Sequence, residues 1–159
     1  MEFRLGQGYD IHRISPGRRL LLGGQEIPSD GWGLLGHSDA DVLLHAVIDS
    51  LLGALALGDI GQWFPDSDQR WLNADSRVLL QKVLAAPQVE AWQLQNLDST
   101  VIAQAPKLSP HILSIRQSLA TLFDCELERI SVKAKSNEYL DAVGHQEAIA
   151  AQAVVLLAK

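Results

Sequence analysis

The stretch Gly36–Asp68, with the sequence GHSDADVLLHAVIDSLLGALALGDIGQWFPDSD, decides the fold. Its apolar residues predict one long buried helix over about Asp39–Leu57, because they occupy almost every side of a helical wheel. Ser38 followed by Asp41 predicts a capping box at the start of this helix, and Gly58 predicts a left-handed turn after its end. Gly53, inside the helix, predicts that another backbone passes close by.

Three polar residues interrupt the apolar surface of this helix. Asp41, His45 and Asp49 follow one another at intervals of four residues and therefore share one helical face. A buried polar side chain needs a hydrogen-bond partner or a metal ion, since leaving it unpaired costs roughly 2–7 kcal/mol. The pattern therefore indicates a functional or structural polar site along this face.

Composition limits the class of protein. The chain has 159 residues, of which 47% are hydrophobic and 20% charged, so we expect one soluble globular domain over residues 1–159. A net charge of −6 without a basic run argues against a nucleic-acid partner. The single cysteine, Cys125, excludes an intramolecular disulfide and favours a reducing compartment. With no signal-like start and no membrane-spanning apolar run, the sequence predicts a cytoplasmic protein without a membrane partner.

The rest of the chain mixes helices and strands. Alternating or apolar runs predict strands over Phe3–His12, Arg18–Gly23, Leu97–Gln104 and Ile130–Lys135. An apolar stripe predicts a helix over Asp75–Ala86, and Ser109-Pro110 predicts the N-cap and first residue of another. Glu147–Leu157 stays open, because its alanines favour a helix whereas its final Val-Val-Leu-Leu run favours a strand.

Asp10 and His12 lie two residues apart on the first predicted strand and so point to the same side. Together with His45 they supply three nitrogen and oxygen ligands without a cysteine, which is the pattern of a catalytic zinc site. The alternative is an ordinary pair of polar surface residues where a strand ends.

Two further groups favour a phosphorylated ligand. His37 and Ser38 stand at the positive end of the long helix, where backbone N–H groups attract anions. Ala134–Glu138 offers a cation, a hydroxyl and a carboxylate at the end of a strand. The residues alone therefore point to a metal-assisted reaction on a phosphorylated small molecule.

Five motifs carry a resemblance to a known family. They are GYDIH at Gly8–His12, the Gly36–Asp68 block, ADSRVLL at Ala74–Leu80, IAQAPKLSPHI at Ile102–Ile112 and VKAKSNE at Val132–Glu138. In order and spacing they resemble the 2-C-methyl-D-erythritol 2,4-cyclodiphosphate synthase family of the non-mevalonate isoprenoid pathway.

The resemblance implies an α/β (α+β) protomer with a mixed four-stranded sheet and helices on one face. It also implies a homotrimer with the sheets facing the threefold axis and active sites between subunits, and it makes Glu147–Leu157 a strand. The implied reaction is intramolecular. The 2-phosphate of 4-diphosphocytidyl-2-C-methyl-D-erythritol 2-phosphate attacks its own β-phosphate, which gives the cyclic diphosphate and CMP.

The resemblance also assigns roles to residues. Asp10, His12 and His45 match zinc ligands, Glu138 matches the ligand of a second ion, Mg²⁺ or Mn²⁺, and Asp49 is expected to orient the zinc site. His37 and Ser136 match transition-state stabilisers. Substrate contacts are expected, in chain order, at Asp10, Ile11, His12, His37, Ser38, Asp49, Asp59, Ile60, Gly61, Phe64, Pro65, Asp66, Ser67, Asp68, Ala103, Gln104, Ala105, Pro106, Lys107, Leu108, Ser109, Lys135, Ser136, Asn137, Glu138, Ala142 and His145.

The chain departs from the family pattern at four of these positions. Lys135 and Ser136 stand where many relatives have threonine, and Ser136 keeps the hydroxyl. Ala142 and His145 stand where many relatives have phenylalanine and arginine facing the trimer axis, so we expect weak axial binding of isoprenoid diphosphates. Two other functions remain open: a zinc phosphodiesterase or diphosphatase with Asp49 as general base, and a metal- or anion-binding regulatory module.

Overall fold

Residues 1–159 are described by a computed structural model that contains two sheets. The strands are β1 (Phe3–Pro16), β2 (Leu20–Leu22), β3 (Gln25–Ile27), β4 (Trp32–Leu35), β5 (Gln93–Ile102), β6 (Ile130–Lys135) and β7 (Ala148–Ala158). The main sheet has the order β4-β1-β7-β5-β6, and β2 and β3 form a separate hairpin. Only β5 and β6 are parallel, so the sheet is mixed.

The expected strand count of four was wrong, because β4 adds a fifth strand at the edge of the main sheet. The four residues of β4 include a glycine and show no alternation, which is why no strand is predicted there from the sequence. They pair with the end of β1, with Arg13 opposite Leu35. The strand predicted at Arg18–Gly23 is shorter and belongs to the hairpin. The expectation that Glu147–Leu157 is a strand was correct.

The helices are α1 (Val42–Ala54), α2 (Ile60–Trp63), α3 (Ser76–Leu84), α4 (Pro87–Glu90), α5 (Ile112–Phe123) and α6 (Asp141–Gly144). None of them is long and apolar enough to cross a membrane. The long helices cover one face of the main sheet and bury most of the core there. The single turn α6 instead packs Val143 against Ala148 and Ala150 at one end of the other face.

The start of α1 differs from the predicted capping box. Its N-cap is Asp41, which accepts a hydrogen bond from the Leu44 amide at 3.0 Å. The same carboxylate also accepts from the amides of Gly23 at 2.9 Å and Gly24 at 2.6 Å, in the hairpin turn. Asp41 therefore ties the hairpin to the helix, and its burial raises the pKa of its carboxyl.

Helix α1 packs unusually close to β1, and the glycines that permit this lie on the strand. A Cβ atom on Gly6 or Gly8 would lie 1.9 Å from the carbonyl oxygen of Ser50 or Ala46, respectively. At Gly53 a Cβ would meet the Gln7 carbonyl oxygen at 3.7 Å, which is an ordinary contact. A second backbone does pass near Gly53, as the sequence predicted, but the tight approach is at Gly6 and Gly8.

Helix α5 also begins differently from the prediction. Ser109 lies within a short 3₁₀ turn, Ser109–His111, and caps no helix. The N-terminal signal in Ser109-Pro110 therefore marks this preliminary turn rather than the α-helix that follows it.

The helix-free face of the sheet carries exposed apolar side chains along β1, interrupted by the polar Gln7. Phe3, Leu5, Tyr9 and Ile11 alternate along β1 on that side and are 43–68% exposed. Val154 lies beside them on β7 and is 38% exposed.

Candidate metal centre and active site

Asp10, His12 and His45 come together at the junction of β1 and α1. His12 Nε2 lies 2.9 Å from Asp10 Oδ2, and His45 Nδ1 lies 3.0 Å from both of those atoms. Tetrahedral zinc with bonds of 2.0–2.1 Å requires ligand atoms about 3.3 Å apart. A set of two imidazoles and one carboxylate at nearly this spacing, with no cysteine, fits a divalent metal ion with an open coordination position.

The ionised form of Asp10 and the protonated form of His12 stabilise each other. Burial opposes ionisation of Asp10, but its close contacts with the rings of His12 and His45 outweigh it and hold the pKa of its carboxyl well below the ordinary value. Burial likewise opposes protonation of His12, but the contact with Asp10 outweighs it and raises the pKa of the imidazole. The carboxylate is therefore ionised at neutral pH, as a metal ligand must be.

Three contacts from outside the cluster hold the histidine rings. His12 Nδ1 donates to the carbonyl oxygen of Leu35 on β4, at 2.9 Å. His45 Nε2 lies 3.0 Å from the hydroxyl oxygens of both Ser38 and Ser76. The carbonyl accepts only, so it leaves Nε2 of His12 free for a ligand.

Asp49 is placed differently from the expectation that it orients the zinc site. Its Oδ1 accepts a hydrogen bond from the Ile60 amide at 2.7 Å, and half-burial of the side chain raises the pKa of its carboxyl. The hydroxyls that contact His45 belong instead to Ser38 and, from outside the predicted site, to Ser76. The ADSRVLL motif contained this serine, but nothing in the sequence pattern separated it from an ordinary residue at the start of a helix.

A cleft of about 520 Å³ opens beside the three ligands. Its walls include His37 and Ser38, and the His37 Nε2 atom lies 3.3 Å from the backbone oxygen of Asp68. Of the predicted substrate contacts that follow α1, the cleft is lined by Ile60, Gly61, Phe64, Pro65 and Asp66.

The other predicted contacts of this loop do not line the cleft. Asp59 caps α2, and its side chain also accepts from the Gln62 side chain at 2.8 Å. Asp68 forms an ion pair with Arg70 at 2.6 Å. Ser67 is exposed, and Ile11 points to the helix-free face of the sheet.

The remaining predicted site residues form a second group at the carboxyl ends of the parallel strands β5 and β6. This is the edge at which open α/β sheets usually bind ligands. The Ala103 amide donates to the Lys135 oxygen at 2.9 Å, and the Tyr139 amide donates to the Gln104 side chain at 3.2 Å. The 103–109 loop and the 135–138 loop are therefore held side by side.

Ser136 and Glu138 lie within this second group. The Ser136 hydroxyl donates to the Glu138 carboxylate at 2.8 Å, and both side chains are exposed. Glu138, Tyr139 and Asp141 have φ angles of 50°, 63° and 58°, a left-handed conformation that costs energy in residues other than glycine.

Neither loop of the second group lines the metal cleft, and neither do Ala142 or His145. Ala142 borders a separate cavity of about 400 Å³ on the helix-free face, beside Tyr9 and Ile11. His145 is exposed at the end of α6.

Comparison with known proteins gives consistent matches. The profile of the YgbB family matches residues 3–158. Over all 159 residues the chain is 56% identical to the 2-C-methyl-D-erythritol 2,4-cyclodiphosphate synthase of Burkholderia ambifaria (strain MC40-6), of which it covers 98%. It is 53% identical over 159 residues to the synthase of the same name from Paraburkholderia phytofirmans, of which it covers 99%.

Solved structures agree with these matches. A structure of 2C-methyl-D-erythritol-2,4-cyclodiphosphate synthase in its CDP-bound form superposes with a TM-score of 0.88 at 39% identity, covering 98% of this chain and 100% of that one. A CDP complex of IspF from Plasmodium falciparum gives a TM-score of 0.83 at 36% identity, covering 98% of this chain and 95% of that one.

Proposed function

The chain belongs to the YgbB family, and from this membership we infer that it converts 4-diphosphocytidyl-2-C-methyl-D-erythritol 2-phosphate to 2-C-methyl-D-erythritol 2,4-cyclodiphosphate and CMP. It is a phosphorus–oxygen lyase of the non-mevalonate isoprenoid pathway. An oxygen of the 2-phosphate forms a bond to the β-phosphorus, and CMP leaves with the oxygen that bridged the two phosphorus atoms. The observation that carries this function is the Asp10–His12–His45 cluster at the mouth of the cleft.

We propose that Asp10, His12 and His45 hold one Zn²⁺ per subunit and that Glu138 ligates a second ion, Mg²⁺ or Mn²⁺. Bound there, the ions would polarise a phosphate oxygen and neutralise the charge of the diphosphate. The donor set supports zinc, since imidazole nitrogen and carboxylate oxygen are its usual ligands in catalytic sites. The exposed Glu138 carboxylate supports a harder ion that keeps most of its water.

Phosphoryl transfer depends mainly on positioning and on charge neutralisation, and the cleft residues can supply both. The Asp68 carbonyl accepts a hydrogen bond from His37, which holds that ring at the cleft wall, where it can stabilise the charge of the transition state. Ser38 lines the same wall and can donate its hydroxyl to a phosphate oxygen. Ile60, Gly61 and Phe64–Asp66 would contact the methylerythritol part.

The second group of residues suits the nucleotide end of the substrate. Backbone groups of the 103–109 loop can read the edge of the cytosine base, and Lys135 adds a positive charge beside the diphosphate. The Ser136 hydroxyl, held near Glu138, can donate to an oxygen that gains charge in the transition state.

One chain cannot bring both groups to a common phosphate. Strand pairing places Asp10 opposite Ala151, Ala151 opposite Val101, and Val101 opposite Ala134. Three strand spacings therefore separate the metal ligands from the strand that leads to Ser136, a distance of about 14 Å.

We propose that a neighbouring copy completes the site and that the chain acts as a cytoplasmic homotrimer. The exposed apolar face of β1, with Phe3, Leu5, Tyr9 and Ile11, supports an assembly in which the helix-free faces of the sheets meet around the threefold axis.

Product analysis tests the reaction. The purified protein is incubated with the diphosphocytidyl substrate and Mg²⁺ in ¹⁸O-labelled water, and the products are identified by phosphorus NMR and mass spectrometry. We expect CMP and one cyclic diphosphate without label. Label in either product would indicate hydrolysis, and hence a phosphodiesterase or diphosphatase, whereas no turnover would favour a binding module.

Metal analysis tests the zinc site separately. His45→Ala should lose both zinc and turnover, whereas His111→Ala, which removes a half-buried histidine outside the cluster, should retain zinc. Full zinc occupancy in His45→Ala would contradict the assignment.

Mixing two inactive variants tests the shared site. Trimers assembled at random from equal amounts of His45→Ala and Glu138→Ala chains should recover about a quarter of the wild-type activity, because about three quarters of them contain both chains and each of those has one intact site in three. No recovery, or a solution mass other than three times 17.4 kDa, would contradict the assembly.

A further inference from the structure

Ser76 occupies an unusual position between a carboxylate and the histidine of the metal cluster. It is the first residue of α3 and is completely buried. Its Oγ lies 2.5 Å from Asp39 Oδ1 and 3.0 Å from His45 Nε2. Asp39 also accepts from the backbone amides of Ser76 at 3.0 Å and Asp41 at 3.2 Å.

The direction of these hydrogen bonds follows from their chemistry. An ionised carboxylate only accepts, so the single hydroxyl hydrogen of Ser76 is directed to Asp39. The Ser76 oxygen can then only accept from His45, which means that Nε2 of His45 carries the ring hydrogen. In the neutral ring, which is the form that binds a metal, Nδ1 then has the lone pair, and it faces Asp10 Oδ2 at 3.0 Å.

Ser38 also lies 3.0 Å from His45 Nε2 but cannot set the tautomer in the same way. Its oxygen accepts the Ala40 amide at 3.1 Å, and no carboxylate takes its hydrogen. Because Nε2 of His45 is already a donor, the Ser38 hydrogen remains available to the cleft that Ser38 lines. Ser76 therefore sets the tautomer of His45, whereas Ser38 can donate to a ligand in the cleft.

We propose that Ser76, held by Asp39, is a positioning residue that fixes the ring orientation and tautomer of His45 so that Nδ1 is presented to a divalent metal ion. This inference rests on the proposed metal site at Asp10, His12 and His45. Partners of this kind commonly change metal affinity by 10–100-fold when they are removed.

Zinc affinity, measured by competition with a chelator, tests the role of Ser76. Ser76→Ala should weaken binding by about 10–100-fold. Ser50→Ala is the matched control, because Ser50 is also completely buried but its hydroxyl donates to the Val47 carbonyl within α1. The control should bind zinc within about threefold of the wild type, since it leaves the ligands and their partners unchanged.

The tautomer itself can be read in the wild type, which keeps the inference testable even if Ser76→Ala does not fold. In the zinc-loaded, ¹⁵N-labelled protein, NMR of the ring nitrogens should show hydrogen on Nε2 of His45 and metal on Nδ1. Metal on Nε2, or equal zinc affinity in Ser76→Ala and the wild type, would overturn the role of Ser76. A wild type that binds no zinc would instead overturn the proposed metal site.

Discussion

Gly8→Ala tests the link between the packing of α1 and the chemistry of the cleft. The new Cβ atom would lie 1.9 Å from the Ala46 carbonyl oxygen, whereas ordinary contacts begin at 3.4 Å. Helix α1 must therefore move away from β1 by about 1.5 Å, the difference between these two distances. His45 directly precedes Ala46 and would move with it.

We expect Gly8→Ala to lower the free energy of unfolding, the zinc affinity and the turnover. Overpacking a tight interface typically costs about 1–3 kcal/mol of unfolding free energy. The displacement would also separate His45 Nδ1 from Asp10 Oδ2, now 3.0 Å apart, by more than the roughly 3.3 Å that tetrahedral zinc allows. A misplacement of about 1 Å can reduce turnover by about 100-fold. Urea denaturation, chelator competition for zinc and kcat/KM measure the three effects.

Gly53→Ala is the matched control on the same interface. Its Cβ would meet the Gln7 carbonyl oxygen at 3.7 Å, so no displacement is required. Replacing glycine by alanine inside a helix should then stabilise the fold by about 0.5–1 kcal/mol. Equal stability, zinc affinity and turnover in Gly8→Ala and the wild type would refute the argument, as would equal damage from both substitutions.

Four further predictions concern other parts of the molecule. The indole N–H of Trp71 is buried without a hydrogen-bond partner, which costs about 1–3 kcal/mol. Trp71→Phe removes this group and should therefore change the free energy of unfolding, measured in urea, by less than about 1 kcal/mol. A loss above about 2 kcal/mol would contradict this. Burial raises the pKa of the Asp49 carboxyl, so the stability that the side chain contributes is lost as the pH rises through its folded-state pKa. Asp49→Asn keeps an acceptor for the Ile60 amide and should gain stability relative to the wild type between pH 3 and pH 7 in urea titrations. A relative loss of stability over this range would contradict the prediction. Ser136→Ala should lower kcat by about 10²–10³-fold with little change in KM, whereas Ser136→Thr should be nearly neutral; an effect on KM alone would assign the hydroxyl to ground-state binding. Calorimetric titration with geranyl diphosphate should show weak binding, because Ala142 offers little apolar surface to the isoprenoid tail; tight binding would contradict it.

The sequence predicted the parts of the site that depend on local periodicity. Asp10 and His12 could be placed on one side of a strand because side chains alternate, and His45 on a buried helix because the apolar residues around it repeat. The cap of α1 was mispredicted for a physical reason. Ser38 and Asp41 both match capping chemistry, and only the position of the hairpin amides of Gly23 and Gly24 selects Asp41.

The contacts that orient the ligands could not be predicted, because they join segments that have no periodic relation to one another. His12 is held by Leu35, 23 residues away, through a backbone carbonyl that any residue type could supply. His45 is held by Ser76, 31 residues away, on a helix that reads from the sequence as an ordinary amphipathic element. Asp49 was a reasonable candidate for this role by helical spacing, yet its carboxylate turns to the Ile60 amide.

The three ligands differ in what fixes their positions, so substitutions elsewhere in the chain should affect them unequally. The ligands Asp10 and His12 are fixed by the strand on which they lie, so their relative position changes only if β1 itself is distorted. The position of His45 depends in addition on Gly6 and Gly8, which set the distance of α1 from β1, and on Ser76, which sets the ring. Changes at residues that are not ligands should therefore act mainly through His45, and zinc affinity should fall before the fold is lost.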